Sequence, residues 1–133
     1  MESLQSKINN QSEYFHSQQQ KFQEIHARFI RYMANVNEAG GKKAVERHRK
    51  RGKLLARERI EKLTDPRTPI LELSPLAGHD QYENAFPSAG IITAVGIVKG
   101  RETVMIANDA TVKGGTYVRE TMRKHVMIQE IAM

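Results

Sequence analysis

Between Val104 and Tyr117 the chain passes from an unbroken apolar run, Val104-Met105-Ile106-Ala107, into the polar, glycine-bearing stretch Asn108-Asp109-Ala110-Thr111-Val112-Lys113-Gly114-Gly115-Thr116-Tyr117. A helical pattern, Val118 to Met133, follows. This order demands a strand, a tight crossing and a helix N-terminus, and so an architecture that mixes sheet and helix. Ligands collect at such crossings. Free backbone N–H groups, a helix dipole and glycine-permitted close approach coincide there.

The elements upstream suit that architecture. Gly90 to Val98 reads as a β-branched strand, Lys99-Gly100-Arg101 as a tight reversal, and Glu102 to Ala107 as the return strand. Four consecutive apolar residues in the return strand predict burial on both faces. Ile70 to Ser74 reads as a short strand or extended segment, and Ser74 to Pro87 as loop. The last helix carries Val126-Met127-Ile128 and Ile131-Ala132-Met133, so it is expected to be apolar nearly all round, starting near Thr116 with that residue as its cap. A helix of that kind is expected to lie inside something larger, and the chain to be a piece of a longer protein.

The first half is helical in pattern. Leu4, Ile8, Gln11, Phe15, Gln18, Phe22, Ile25, Phe29, Tyr32 and Val36 alternate at steps of four and three, the seam of a long amphipathic helix. Ala39-Gly40-Gly41 ends it, with glycine supplying a left-handed turn. A second helix runs from about Lys42 to Asp65-Pro66, interrupted at Gly52. Together they read as an αα-hairpin, residues 1–65, ahead of a sheet-bearing part, residues 66–133.

Charge is concentrated in that second helix. Ten Lys and Arg face three Glu between Lys42 and Lys62, a net of +7 out of +6 overall, which leaves the rest of the chain at −1. Such a segment suits an anionic partner or forms a solvated face. A nucleic-acid-binding module is disfavoured, because Gly52 breaks the helix and few aromatics interleave with the cations. A helical assembly element resting on the 4–36 seam is compatible with any of these readings. The five His show no paired metal-ligand spacing, and no metal site is expected. The absence of Cys removes disulfides, thiolate metal sites and cysteine nucleophiles. No run approaches the roughly 18 apolar residues of a membrane span, and the N-terminus carries neither a signal nor a transit pattern.

Arg51-Gly52-Lys53-Leu54-Leu55-Ala56-Arg57-Glu58-Arg59-Ile60 resembles a signature of biotin-dependent acyl-CoA carboxylases, in their carboxyltransferase β subunits. Leu71 to Ala77 and Ala89 to Thr93 extend the resemblance, and Asn108 to Tyr117 is similar to the methylcrotonoyl-CoA and geranyl-CoA branch. The resemblance covers roughly residues 38–133. One departure is that Val118 and Arg119 stand where that branch usually has Tyr and Pro. The resemblance implies an α/β chain: the helical hairpin, then the first β-β-α unit of a crotonase-like fold, incomplete here. It implies transfer of a carboxyl group from carboxybiotin to an enoyl-CoA such as 3-methylcrotonyl-CoA, with propionyl- or acetyl-CoA as the alternative substrates. Biotin is expected on a partner biotin carboxylase/carrier α subunit, and β subunits are expected to assemble as a hexamer, in the cytoplasm of a bacterium or the mitochondrial matrix of a eukaryote. The family's Gly-Gly-Ala loop of oxyanion-stabilising amides is not in these residues. No catalytic residue is therefore expected here, and the chain alone is expected to be inactive. Thr111, Lys113, Gly114, Gly115 and Thr116 are the expected acyl-CoA-binding residues. Arg51 and Lys53 are the expected contacts to CoA phosphate, whereas Arg57 and Arg59 are expected to pair with carboxylates at an interface.

Overall fold

A computed structural model describes residues 6–133. The chain divides into two units, at Tyr32 and Met33.

The first unit is built on helix α1, Glu13–Asn37, whose last residues belong to the second unit. Leu4 lies outside the described residues, and Ile8 and Gln11 precede the helix, so among the described residues the seam is helical from Glu13. Ser12 sets the start. Its hydroxyl accepts the Phe15 N–H at 3.2 Å and donates to Asn9 O at 2.9 Å, while the Asn9 side chain accepts the Gln11 N–H. These local bonds satisfy the first turn and compete with helix further upstream. Within this unit the seam is exposed: Phe22 is 66% accessible and Ile25 56%.

The second unit begins where α1 ends. Ala39 and Gly41 have φ of 52° and 83°. Gly40 does not adopt a left-handed φ, and its side-chain-less Cα has a different cause, given below. Helices α2, Lys42–Lys50, and α3, Ala56–Leu63, follow, separated at Gly52, whose φ is 72°. Glu58 joins them. It accepts the Leu55 N–H at the start of α3 at 2.8 Å and Arg49 of α2 at 2.5 Å. The Leu55 amide, with Arg49 behind it, holds the Glu58 carboxyl below its usual range.

Strands β1, Leu71–Leu73, β2, Ile91–Val98, and β3, Arg101–Asn108, form an antiparallel sheet in the order β1-β2-β3. Lys99 and Gly100 turn the hairpin at φ of 50° and 75°, a pair that matches strand twist. Asp65 braces this turn from outside, accepting the Lys99 and Gly100 N–H groups at 2.8 and 2.7 Å. Ala56 and Ile60 of α3 bury against Ile92, Ala94, Met105 and Ala107 on one sheet face. Ile91 and Thr93, which alternate with these, are fully buried as well.

Two expectations change here. In β3, Met105 and Ala107 are buried but Ile106 is 39% exposed, so the strand buries one face and not both. Helix α4, Arg119–Ala132, starts three residues beyond Thr116, and its buried residues are Glu120, Thr121, Lys124 and Ile128. Met122, Val126 and Ile131 lie outside, each more than half exposed. The inward face is polar because unpaired carbonyls await it.

Candidate functional site

The crossing from β3 to α4 is a chain of local bonds. Asp109 is buried, and its Oδ1 accepts both the N–H and the hydroxyl of Thr111, at 2.9 and 2.6 Å. Its own N–H donates to Gly90 O at 3.0 Å, and its carbonyl accepts the Val112 N–H. Asp109 is therefore a turn-maker, as Asp often is after a strand. Thr111 is 6% exposed, and its Oγ1 also accepts the Gly40 N–H at 3.0 Å. A Cβ on Gly40 would stand 1.9 Å from Thr111 O. That is why glycine occupies position 40: two distant glycine-bearing segments pack backbone to backbone.

Beyond Thr111 the turn opens to solvent. Lys113, Gly114 and Gly115 have φ of 46°, 71° and 85°. The Gly115 N–H donates to Val112 O and the Thr116 N–H to Lys113 O, while the N–H groups of Lys113 and Gly114 have no partner among the described residues. Both residues are exposed. A Cβ on Gly115 would meet the Asn108 side-chain nitrogen at 2.9 Å. The Thr116 hydroxyl donates to Lys113 O at 2.8 Å instead of capping α4. That task falls to Thr121, whose Oγ1 accepts the Val118 N–H at 3.0 Å. Of the five expected ligand residues, Thr111 is thus committed to structure. Lys113, Gly114 and Thr116, exposed, and Gly115, half-buried, form the rim, and the Lys113 and Gly114 amides meet no group among the described residues.

The cationic residues sort themselves similarly. Arg57 forks onto Glu72 at 2.9 and 2.8 Å and reaches Val36 O, so it is spent on packing. Arg49 pairs with Glu58. Arg51, Lys53 and Arg59 are exposed and have no partner among the described residues. Lys43, Glu46, Arg47, Lys50 and Arg51 line an open groove along α2. Gly40, just ahead of α2, touches Thr111, and nine residues of helix span about 13 Å.

Sequence reasoning missed the support beneath the crossing. Ser88, Ala89 and Gly90 all have positive φ, near 52°, 53° and 73°. Their carbonyls, with that of Ile91, are satisfied in turn: Ser88 O and Ile91 O by the Lys124 ammonium at 3.2 and 2.8 Å, Ala89 O by Thr121 at 2.6 Å, Gly90 O by the Asp109 N–H. Lys124 also donates to Ser88 Oγ at 2.8 Å. It is 3% exposed, and burial pushes its ammonium down to about 8, with Glu72 opposing and Arg57 adding to the shift. Thr121 and Lys124, three residues apart, were the signal in the sequence, and Arg119, Glu120, Arg123, His125, Gln129 and Glu130 of the same helix concealed it.

A carboxyl transferase domain matches residues 47–133. The chain belongs to that family. It is 47% identical over 130 residues to the probable methylcrotonoyl-CoA carboxylase beta chain, mitochondrial, of Drosophila melanogaster, covering 97% of this chain and 22% of that one. It is 48% identical over 116 residues to the biotin-dependent 3-methylcrotonyl-coenzyme A carboxylase beta1 subunit of Mycobacterium tuberculosis, covering 84% and 22%. The crystal structure of the P. aeruginosa geranyl-CoA carboxylase beta subunit superposes with a TM-score of 0.85 at 32% identity, covering 99% of this chain and 25% of that one. The chain thus spans between a fifth and a quarter of the length of these relatives. The fold is the carboxyltransferase, crotonase-like one, helices leading into a three-stranded antiparallel sheet. Among the described residues no helix is long and apolar enough to cross a membrane, and no three His, Asp or Glu gather as a metal site.

Proposed function

We propose that the chain is part of a carboxyltransferase that moves a carboxyl group from carboxybiotin to an enoyl-CoA, 3-methylcrotonyl-CoA in particular. The observation that carries this is the Lys113–Gly115 rim, with two unpaired backbone amides and no Cβ to block approach at Gly114. Such amides bind a ligand oxygen without reorganising, a binding role toward the acyl-CoA and not a catalytic one. Arg51 and Lys53, exposed and without a side-chain partner among the described residues, take the CoA phosphates. The relatives support the branched substrate, since four at 47–51% identity are named for methylcrotonoyl-CoA or 3-methylcrotonyl-CoA, while one at 46% is named only for acyl-CoA.

Biotin supplies the carboxyl group when bound. The donor set here, turn amides and exposed cations, suits phosphates and a thioester oxygen rather than a ureido ring. Biotin is therefore assigned to a partner α subunit, and the β subunits to a hexamer, the assembly named for transcarboxylase 12S. The compartment follows the source: cytoplasm in a bacterium, mitochondrial matrix in a eukaryote, as the names of the fly and plant relatives state for those proteins.

The test is an assay of the full-length subunit with its biotin-bearing partner on 3-methylcrotonyl-, geranyl-, propionyl- and acetyl-CoA. The highest kcat/KM is expected for 3-methylcrotonyl-CoA, and a preference for acetyl-CoA overturns the substrate. Arg51→Ala with Lys53→Ala is expected to raise KM roughly tenfold with kcat little changed, the signature of lost uniform binding.

A further inference from the structure

We propose that Lys124 is a positioning residue for the acyl-CoA rim: its buried ammonium fixes the Ser88–Ile91 turn, and that turn fixes the Asp109–Thr116 segment. The effect on substrate rests on the reading above; the mechanical link does not.

The link is continuous. Lys124 Nζ has three hydrogens and meets three acceptors, Ser88 O, Ser88 Oγ and Ile91 O, between 2.8 and 3.2 Å. The Ser88 hydroxyl in turn donates to Ile91 O at 3.1 Å. The turn it grips is one that the chain resists: Ser88 and Ala89 hold left-handed φ without being glycine. Between them and β2 stands Gly90, whose carbonyl takes the Asp109 N–H and whose Cα lies under the rim. A Cβ there would meet Thr116 O and Val112 Cγ1 at 3.7 Å. The far side of the same segment is anchored by Gly40 on Thr111. The rim is thus held between two supports, and Lys124 sets one of them.

A merely space-filling role would be met by an aliphatic side chain, which costs nothing to desolvate, whereas a buried ammonium is expensive unless its geometry is met. The three matched acceptors are what the lysine supplies and a hydrocarbon does not.

The experiment uses the full-length subunit in its holoenzyme, with Lys124→Met and, should that variant fold poorly, Ser88→Ala, which removes one of the three Lys124 acceptors together with the hydroxyl bond to Ile91 O and leaves the other two acceptors in place. Hydrogen exchange is read without substrate at the Asp109, Val112, Gly115 and Thr116 amides, and kcat and KM are read with 3-methylcrotonyl-CoA. Expected are faster exchange confined to those amides, roughly tenfold, and a KM raised roughly tenfold with kcat within about twofold, smaller for Ser88→Ala. Unchanged exchange at those four amides, loosening spread evenly over the chain, or an unchanged KM each overturns the proposal. A wild-type enzyme that shows no saturable dependence on acyl-CoA overturns the substrate reading instead, and the exchange result still decides the link.

Discussion

Gly40 and Lys124 are single positions whose cost can be stated. Gly40 is glycine because Thr111 O occupies the volume of its missing Cβ, not because of its φ. Gly40→Ala must push two backbone segments apart and break the bond from its N–H to Thr111 Oγ1, and is expected to cost about 2–4 kcal/mol. The control is a glycine free of any such neighbour. Gly41, at φ 83° and ψ 163°, sits where only glycine is at ease, so Gly114→Ala serves: Gly114 has φ 71° and ψ 11° with nothing within 4 Å of its Cβ, and only a conformational cost of about 1 kcal/mol applies. Urea denaturation of the two variants should give that order, and the reverse order would refute the steric account. At Lys124 the folded-state value is lowered to about 8 from 10.5 by burial. The unfolded chain then binds more protons than the folded one between those values, so stability rises with pH across that window. The burial penalty is full below about 8 and relieved by about 10.5, roughly 3 kcal/mol in all. Glu120 raises Tyr82 above its ordinary value, so that phenol keeps its proton in the lower part of the window. Urea midpoints at about pH 8 and about pH 9.5 should show the rise in the wild type and a flat response in Lys124→Met.

At the scale of elements, the two long strands and their reversal were legible because they depend on neighbours in sequence: β-branched runs and a Lys-Gly pair that accepts positive φ. The Gly52 break was legible for the same reason. What stayed hidden depends on distant partners. Ser12 starts α1 by a local hydroxyl bond that overrides an apolar periodicity reaching back to Leu4. Helix α4 turns Thr121 and Lys124 inward, against periodicity, because the 88–91 carbonyls need donors from them. The candidate site divides in the same way. The Lys113–Gly115 rim could be read from its glycines, whereas the commitment of Thr111 to Asp109 and Gly40 could not, since Gly40 is 71 residues away. The hairpin offers a test at this scale. Its turn is held by Asp65, from the end of α3, and both carboxylate oxygens accept turn amides. Asp65→Ala is expected to cost about 1–3 kcal/mol, while leaving the strand register intact. Denaturation measures the cost, and unchanged stability would mean the turn holds itself.

For the whole molecule, the decisive quantity is apolar surface left in water. Phe22 and Ile25 of α1 are more than half exposed, as are Met122, Val126 and Ile131 of α4. Monomeric soluble proteins seldom leave contiguous apolar patches beyond a few hundred Å². A narrow amphipathic helix gains most of its stability from a partner rather than from its own propensity. The chain also covers only about a fifth of the relatives it matches at 47% identity. The 133-residue chain taken by itself is therefore expected not to be a well-behaved monomer. Its weight-average mass in sedimentation should climb with concentration, and an apolar dye should bind it strongly. Serine at Phe22 and Phe29 together should lower both signals without changing the melting of the 33–133 unit, because those side chains belong to the other unit. A cooperative monomer that binds no dye would show that the exposed residues are tolerated as they stand, and would remove the case for a covering partner on either helix.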